Sequence, residues 1–381
     1  MTQRLCLTSL ALVYAAATSF ADGLTLAMPL DYQVVQRASR TGGQLPVSGR
    51  LMPGTRPTSL EARTTGPGAN GRWQPLAFKA GADAFSAELN APAGGWYRLE
   101  VRALAAGKVL AETNVAHVGI GEVFVIAGQS NSANHGEEKQ QTKTGLVAAF
   151  DGRTWQPAND PQPGASGNRG SFLPPFGDAL AARLKVPIGI VATGVGATSV
   201  REWLPAGTRF PNPPTLLGNV TQLPSGDWVC KGRIYSNFVA RAQSLGPHGF
   251  RAVLWHQGES DANQKDPTRT LAGALYAQFI GQLIRDSRHE IGWDVPWFVA
   301  QVSYHVPGDE ASPDIRAAQA ALWKSGLALE GPDSDALKGE LRERGGMGVH
   351  FSGPGLRAHA ARWVEKVAPW LEKQLASSPP R

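Results

Sequence analysis

The sequence predicts an α/β protein whose parallel sheet carries helices on both faces, preceded by a small all-β sandwich domain. After residue 119, apolar strand-like runs alternate with helix-like stretches, a pattern typical of parallel sheets. Before residue 118, short runs with a period of two are separated by Gly, Pro and Asn clusters, as in antiparallel sandwiches. A chain of 381 residues with 42% hydrophobic content can bury a core in both parts.

Residues 1–21 are predicted to be an export signal. Arg4 precedes an apolar run at residues 5–17, and Ser-Phe-Ala at residues 19–21 is a small-x-small cleavage pattern. An N-terminal strand or a membrane anchor is the alternative, but the apolar run is too short to span a bilayer comfortably. We therefore expect a periplasmic or secreted protein that is not attached to a membrane after cleavage.

Composition narrows the classes of partner and cofactor. The net charge of +6 comes from scattered Lys and Arg residues, without the dense basic runs of a nucleic-acid surface. Of the two cysteines, Cys6 lies in the predicted signal, so Cys230 alone remains and an internal disulfide is excluded. No residue spacing indicates a zinc site, a calcium site or a phosphate-binding loop. We therefore expect catalysis without a metal or cofactor, and no nucleic-acid partner.

The predicted sandwich covers residues 22–118. Its strand-like segments alternate apolar and polar side chains, which indicates sheets with one buried face. These segments are residues 44–49, 60–64, 84–89 and 96–101.

The predicted α/β domain covers residues 119–376. Its apolar strands are expected at residues 122–127, 189–192, 252–256 and 297–302. Helices are expected at residues 176–184, 234–245, 271–287, 315–325 and 354–374. Reactive groups in such a fold collect at the carboxyl ends of the strands.

Ser130 follows the first of these strands in the sequence GQSNS at residues 128–132. A strand that gives way to a helix would present the Ser130 hydroxyl beside backbone N–H groups suited to a developing oxyanion. Ser130 or Asn131 could equally cap the helix, a common use of such residues. Local sequence leaves both interpretations open.

Gly196 and Gln257 follow the next two strands. The absence of a side chain at Gly196 lets a substrate approach the backbone N–H, and Gln257 can offer an amide. With the Ser130 N–H they form a candidate oxyanion hole of three donors. A turn glycine and a buried hydrogen-bonded glutamine are the alternatives.

His350 lies just before the last predicted helix in the sequence VHFSGPG at residues 349–355. A serine hydroxyl is a weak nucleophile at neutral pH, and an imidazole can take its proton and return it to the leaving alcohol. Ser130 and His350 are therefore the candidate catalytic pair, and activity is expected to fall as His350 becomes protonated.

Taken together, these blocks resemble the SGNH (GDSL-like) hydrolases, and specifically the sialate O-acetylesterase-like carbohydrate esterases. The resemblance rests on GQSN at 128–131, on GAT at 196–198 followed by WLP at 203–205, on WHQGES at 255–260 and on VHFS at 349–352. Each motif is weak alone, but the four occur in the family's order from about residue 119 to residue 370. The resemblance implies a flavodoxin-like three-layer α/β/α domain and a carboxylic ester hydrolase that removes O-acetyl groups from sialic acid or a plant or algal polysaccharide.

One position departs from that family pattern. The family places an aspartate three residues before its histidine, where this chain has Met347. A Ser-His dyad is one alternative, and a carboxylate from elsewhere is the other. Asp335 and Glu259 are the leading candidates for that acid, with Asp333 and Glu343 also considered; Glu259 could instead brace the oxyanion loop.

Arg201 and Trp203, which adjoin the second motif, are the candidate substrate-binding residues.

A lipase, thioesterase or acyltransferase on the same fold is one rival function, because a fold does not determine the acyl group. A carbohydrate-binding protein without catalysis is the second rival, suggested by Met347. The sequence leaves the sugar, the hydroxyl position and the oligomeric state open.

Overall fold

The computed structural model describes residues 23–377. The predicted export signal at residues 1–21 lies outside the described residues. Within them, no helix has both the length and the apolar character needed to cross a membrane.

The first part of the chain consists of strands that pair mostly in antiparallel fashion. They are β1 (Leu24–Met28), β2 (Gln33–Gln36), β3 (Gly42–Leu51), β4 (Ser59–Thr65), β5 (Gln74–Leu76), β6 (Ala84–Pro92), β7 (Gly94–Ala105) and β8 (Lys108–Gly128). One sheet has the order β1-β3-β6, while β4 pairs with β5 and β7, and β7 pairs with β8. The four segments predicted as strands before residue 118 lie within β3, β4, β6 and β7.

The apolar side chains of these strands form one core cluster. Burial alternates along β3, where Leu45 and Val47 are fully buried, and these residues pack with Leu60, Leu99 and Val101 of the other sheet. A domain boundary at residue 118 stays a prediction, because β8 runs through that position without a break.

The second half of β8 lies in the middle of a mostly parallel sheet. The strand order is β10-β9-β11-β8-β15-β16-β17, and β10 alone pairs in antiparallel fashion with its neighbour along this path. The added strands are β9 (Val147–Phe150), β10 (Trp155–Pro157), β11 (Ile188–Ala192), β15 (Ala252–His256), β16 (Trp297–Gln301) and β17 (Leu329–Asp333). A small antiparallel sheet contains β12 (Arg209–Phe210), β13 (Val220–Gln222) and β14 (Trp228–Cys230).

Helices cover both faces of the parallel sheet. They are α1 (Leu173–Leu184), α2 (Arg233–Gln243), α3 (Gly273–Ile291), α4 (Pro313–Lys324), the single turn α5 (Glu343–Gly346) and α6 (Gly353–Ser377). Phe124 and Ile126 of β8 pack in the cluster that contains α1 and α6, while Val123 and Val125 pack with α2, α3 and α4. Successive side chains of a strand point to opposite faces, so β8 contributes to both cores.

Local sequence accounts for the helix ends. Ser312 precedes α4 and its hydroxyl accepts a hydrogen bond from the Ile315 N–H, while Pro313 occupies the first turn, where a missing N–H costs nothing. Gly292 ends α3 with a φ of 89°, a left-handed conformation that glycine adopts without strain.

Glu122 ties the first part of the chain to the parallel sheet. Its carboxylate is fully buried in β8 and accepts hydrogen bonds from Arg37 Nε at 2.6 Å, Arg251 Nε at 2.7 Å and Gln36 Nε2 at 2.8 Å. Two guanidinium groups and a carboxylate therefore share one buried site.

We expect Glu122→Gln to lower the free energy of unfolding by about 3–5 kcal/mol, because the neutral amide leaves buried guanidinium charge uncompensated. Chemical denaturation of the whole chain measures this value. Glu100→Gln is the matched control, since Glu100 pairs with Arg63 at the partly exposed surface and should cost less than about 1 kcal/mol. Equal losses in the two variants would contradict the buried-pair interpretation.

Candidate active site

The carboxyl ends of β8, β11 and β15 meet at one edge of the parallel sheet. Gly128 at the end of β8 pairs with His256 at the end of β15, and Ala192 of β11 pairs with Ile126. Gly128 has a φ of 125°, and a Cβ atom there would lie 2.0 Å from the His256 carbonyl oxygen. Glycine is therefore required at the point where the chain leaves the sheet.

Ser130 begins a single 3₁₀ turn, Ser130–Ser132, at the place where the sequence predicts a helix. No side chain caps this turn; the preceding residue, Gln129, instead accepts hydrogen bonds from Gln257 and the Ser260 N–H. The Ser130 side chain is nearly buried, but it lines a cavity of about 640 Å³. His135, Gly196, Glu259 and His350 line the same cavity.

His350 is held against a carboxylate. Its Nδ1 lies 2.8 Å from Glu343 Oε1, and the Glu343 side chain is only 2% exposed. The backbone closes a tight loop between the two residues, since the Glu343 N–H donates to the His350 carbonyl and the Gly348 N–H donates to the Glu343 carbonyl. Arg344 in this loop has a φ of 55°, and Gly345 and Gly346 are also left-handed. This turn brings an acid seven positions earlier in the chain to the histidine ring.

Asn131 links the loop of His350 to the turn that begins at Ser130. Its Nδ2 donates to the Val349 carbonyl at 3.2 Å and to Glu259 Oε1 at 3.0 Å. Since Asn131 directly follows Ser130 and Val349 directly precedes His350, this amide holds the two predicted catalytic residues at one site.

The protonation of the pair follows from burial and charge. Burial lowers the pKa of His350 below its ordinary value of 6.5, although Glu343 opposes this shift. Burial works against ionisation of Glu343, but the His350 ring and its hydrogen bonds outweigh burial and lower the pKa of that carboxyl. At neutral pH the pair is thus a neutral imidazole beside a carboxylate.

The two leading candidates for the orienting acid lie elsewhere, so the structure does not place either beside His350. Asp335 accepts hydrogen bonds from the backbone N–H groups of Ser303 and Tyr304 and from Arg316. Glu259 accepts from Asn131, and burial raises the pKa of its carboxyl to about 7. Glu259 therefore contacts the turn that begins at Ser130, while its alternative role as a brace of the oxyanion loop stays a prediction.

Gln257 does not line the cavity of Ser130. Its side chain is fully buried, and its amide donates to Gln129 Oε1, the Thr198 carbonyl and Asp261 Oδ2, the last at 2.7 Å. The structure therefore places Gln257 as a buried amide with hydrogen-bonded Nε2, away from the cavity in which it was predicted to be an oxyanion donor. Such an amide fastens three loops together because each donor has a partner.

Gly196 lies in the cavity, but its N–H is already engaged. It donates to Ser166 Oγ at 2.7 Å, and the same hydroxyl lies 3.1 Å from His135 Nε2. The His135 ring in turn stacks on His350, with ring centroids 5.5 Å apart.

Arg201 and Trp203, which were predicted to bind substrate, are both fully buried in the structure and do not line the cavity of Ser130. Arg201 donates to Asp261, Ser199 and nearby carbonyl groups, and Trp203 Nε1 donates to Thr198 Oγ1 at 2.9 Å. Adjacency to the second motif placed them near the site in sequence, but their side chains point into the core behind it.

Glu343 and Ser166 are the residues that sequence reasoning ranked too low or missed. Glu343 is one of the four candidate acids but not one of the two leading ones, while Ser166 lies in a Gly-rich loop, residues 164–170, that carries none of the four motifs. The left-handed run at Arg344, Gly345 and Gly346 is a weak signal of a tight turn between Glu343 and His350. Met347, at the position where the family carries an aspartate, is 61% exposed.

The family model for carbohydrate esterase, sialic acid-specific acetylesterase, matches residues 120–329, more than half of the chain. That range includes Ser130, Gly196 and Glu259. No curated protein matches the chain.

Several solved structures resemble the fold. A carbohydrate acetylesterase from Xanthomonas citri matches with 20% identity and a TM-score of 0.52, over 89% of this chain and 73% of that one. A protein from Arabidopsis thaliana matches with 18% identity and a TM-score of 0.44, over 68% of this chain and 99% of that one. NanS matches with 15% identity and a TM-score of 0.45, over 66% of this chain and 98% of that one.

Proposed function

Because this chain belongs to the sialic acid-specific acetylesterase family of carbohydrate esterases and is an ester hydrolase, we propose that it removes O-acetyl groups from carbohydrate through a triad of Ser130, His350 and Glu343. The observation that carries this proposal is the 2.8 Å hydrogen bond between His350 Nδ1 and the buried Glu343 carboxylate. A serine and a histidine that line one cavity, with a buried acid hydrogen-bonded to the histidine, form the arrangement required for acyl transfer.

The hydrogen bond to Glu343 assigns the tautomer of His350. A carboxylate can only accept, so Nδ1 carries the proton and Nε2 keeps its lone pair. That lone pair is the base for the Ser130 hydroxyl. The lowered pKa of the ring keeps Nε2 unprotonated at neutral pH.

The reaction takes two steps. His350 Nε2 accepts the proton of Ser130 as Ser130 Oγ bonds to the acetyl carbonyl carbon; the carbon–oxygen bond to the sugar then breaks, and His350 returns the proton to the sugar oxygen. Water next attacks the acetyl carbonyl carbon while His350 takes one of the water protons. The bond between that carbon and Ser130 Oγ then breaks, His350 returns the proton to Ser130 Oγ, and acetic acid leaves and ionises to acetate at neutral pH. The Ser130 backbone N–H is a proposed donor to the oxyanion of both tetrahedral intermediates.

The location of Glu343 argues against the rival of a binding protein without catalysis. That rival rested on Met347, since a histidine without an acid could indicate a lost triad. Glu343 supplies the acid from another position of the same loop, so the exchange at Met347 need not remove catalysis. We retain the other rival, a lipase, thioesterase or acyltransferase on the same fold, as the alternative outcome of the substrate test.

We also propose that the protein works outside the cytoplasm, in the periplasm or as a secreted enzyme. The support is the sequence of residues 1–21, with Arg4, an apolar run and a small-x-small site.

The β-strands before residue 118 are proposed to form a sandwich domain that supports the catalytic domain. Their connection through the continuous β8 and the buried Glu122 site favours support over substrate binding.

We expect the enzyme to release acetate from 4-nitrophenyl acetate, from acetylated xylan and from an O-acetylated sialoside. The kcat/KM for 4-nitrophenyl acetate should exceed that for 4-nitrophenyl octanoate by about tenfold or more, because a site for acetyl groups gains nothing from a longer chain. Colorimetric assay and enzymatic acetate determination give both values. Faster turnover of the octanoate ester would favour the lipase alternative.

A further inference from the structure

We propose that the Ser166 hydroxyl is an oxyanion donor of this active site, oriented by the Gly196 N–H and by His135. This inference rests on the proposed function, because it assigns a role in the hydrolysis at Ser130. In this proposal Ser166, rather than Gln257, is the side-chain donor to the oxyanion. Gly196 does not contact the substrate oxygen directly but holds the Ser166 hydroxyl in place.

The backbone of Ser166 is held from two sides of the site. Its N–H donates to the Gly194 carbonyl at 2.9 Å, in the loop after β11, and its carbonyl accepts from the Asn134 N–H at 2.9 Å, just after the turn of Ser130. The side chain of Asn134 also donates to the Gln162 carbonyl and accepts from the Gln162 N–H. The loop of Ser166 is therefore fastened to both neighbouring strand ends, which fixes the hydroxyl before substrate binds.

The hydroxyl of Ser166 has one hydrogen and two acceptor lone pairs. The Gly196 N–H donates to one lone pair at 2.7 Å, and His135 Nε2 lies 3.1 Å away on another side. When His135 carries its proton on Nε2, both lone pairs are filled and the hydrogen of Ser166 is available to a substrate oxygen. Hydrogen bonds that a hydroxyl accepts polarise it, so this arrangement makes Ser166 a better donor.

His135 can orient the Ser166 hydroxyl because its ring lies next to that hydroxyl and its lowered pKa favours the neutral imidazole. A Cβ atom at Gly196 would lie 2.7 Å from His135 Nε2, so only glycine lets the imidazole pack against this backbone. Burial, the adjacent His350 and Arg169 lower the pKa of His135. A second positive charge beside His350 would discourage His350 from accepting the Ser130 proton, and the neutral form of His135 avoids that conflict.

The other predicted donors do not provide this contact. Gln257 does not line the cavity, and its Nε2 group already donates to Gln129, Thr198 and Asp261. The Gly196 N–H is directed at Ser166 Oγ. A carbonyl oxygen beside Ser130 can thus receive a hydrogen bond from this side of the cavity through Ser166, which lines it.

Steady-state kinetics on 4-nitrophenyl acetate tests the proposal with the full chain. We expect Ser166→Ala to lower kcat by about 10²–10³-fold with little change in KM, since an oxyanion donor acts mainly in the transition state. Ser166→Thr keeps the hydroxyl and should recover most of kcat. Ser39→Ala is the matched control, because Ser39 Oγ also accepts from a glycine N–H but does not line this cavity.

Two results would overturn the proposal. A kcat for Ser166→Ala equal to or above that of the wild type would mean that the hydroxyl only occupies the Gly196 N–H. Equal losses of kcat in Ser166→Ala and Ser166→Thr would mean that the hydroxyl is not the group that acts on the substrate.

If thermal melting shows that Ser166→Ala does not fold, Ser166→Cys replaces it, because a thiol is a weak donor and should also lower kcat. Ser130→Ala distinguishes a failure of the proposed function from a failure of the Ser166 role. If the proposed function is wrong, Ser130→Ala stays active. If only the Ser166 role is wrong, Ser130→Ala is inactive while Ser166→Ala keeps its kcat.

Discussion

Ser130→Ala should lower kcat on acetyl esters by roughly 10⁴-fold or more, because the remaining alanine cannot form the acetyl-enzyme and only binding and oxyanion contacts remain. His350→Ala should cost about as much, since it removes the base that activates the same hydroxyl. The double variant should be no worse than either single variant, because residues that act as a unit are not additive. Initial-rate assays with 4-nitrophenyl acetate measure all three.

His289→Ala is the control for the histidine variant. His289 lies exposed in the last turn of α3 and does not line the cavity of Ser130, so its replacement should leave kcat unchanged. A Ser130→Ala variant within tenfold of the wild type on every acetyl ester would mean that hydrolysis occurs elsewhere in the chain.

Glu343→Gln is the second large effect, with kcat expected to fall by about 10³–10⁴-fold. The amide keeps the size of the side chain but removes the charge that stabilises the imidazolium formed when His350 takes the Ser130 proton. The amide that replaces the carboxylate can also donate to Nδ1 of His350, which would place the proton of the imidazole on the wrong nitrogen.

The pH dependence of kcat/KM distinguishes this role from a structural one. His350 must be neutral to act as a base, so activity falls as pH drops through its pKa, which lies below 6.5 in the wild type. Glu343 raises that pKa against the effect of burial, so Glu343→Gln should move the acid limb to lower pH. Profiles of kcat/KM measured from about pH 4 to pH 8 in both proteins provide the comparison.

Asp335→Asn is the matched control variant for this experiment. Its carboxylate contacts Ser303, Tyr304 and Arg316 rather than His350, so the variant should lose stability without moving the acid limb. If Asp335→Asn moved the limb and Glu343→Gln did not, the orienting acid would have been assigned to the wrong residue.

Much of the site could be predicted from the sequence because it depends on chain order. Parallel strands end at one edge of the sheet, so the residues after β8, β11 and β15 meet there whatever the detail of the loops. Ser130, Gly196 and His350 accordingly line one cavity. The resemblance to the carbohydrate esterases is confirmed by the family match over residues 120–329.

Three predicted residues lie in the core instead of the cavity. Gln257, Arg201 and Trp203 adjoin the motifs in sequence, but each side chain is fully buried. A motif locates a residue along the chain, whereas the turn of the loop determines whether its side chain faces the substrate or the layer beneath. Buried polar groups need partners, and these three side chains supply the hydrogen bonds that hold the loops.

The alternation of strands and helices, the sheet edge at which the cavity lies, and the serine and histidine of the proposed triad could be predicted from residue order and motifs, because parallel strands end at one edge of a sheet. The acid of the proposed triad and the contact between Ser166 and Gly196 became visible in the folded chain. Glu343 reaches His350 through a left-handed turn at Arg344, Gly345 and Gly346, and Ser166 reaches Gly196 through bonds to Gly194 and Asn134. Both contacts depend on backbone dihedral angles and on pairings between distant loops, which periodicity and motif spacing do not encode.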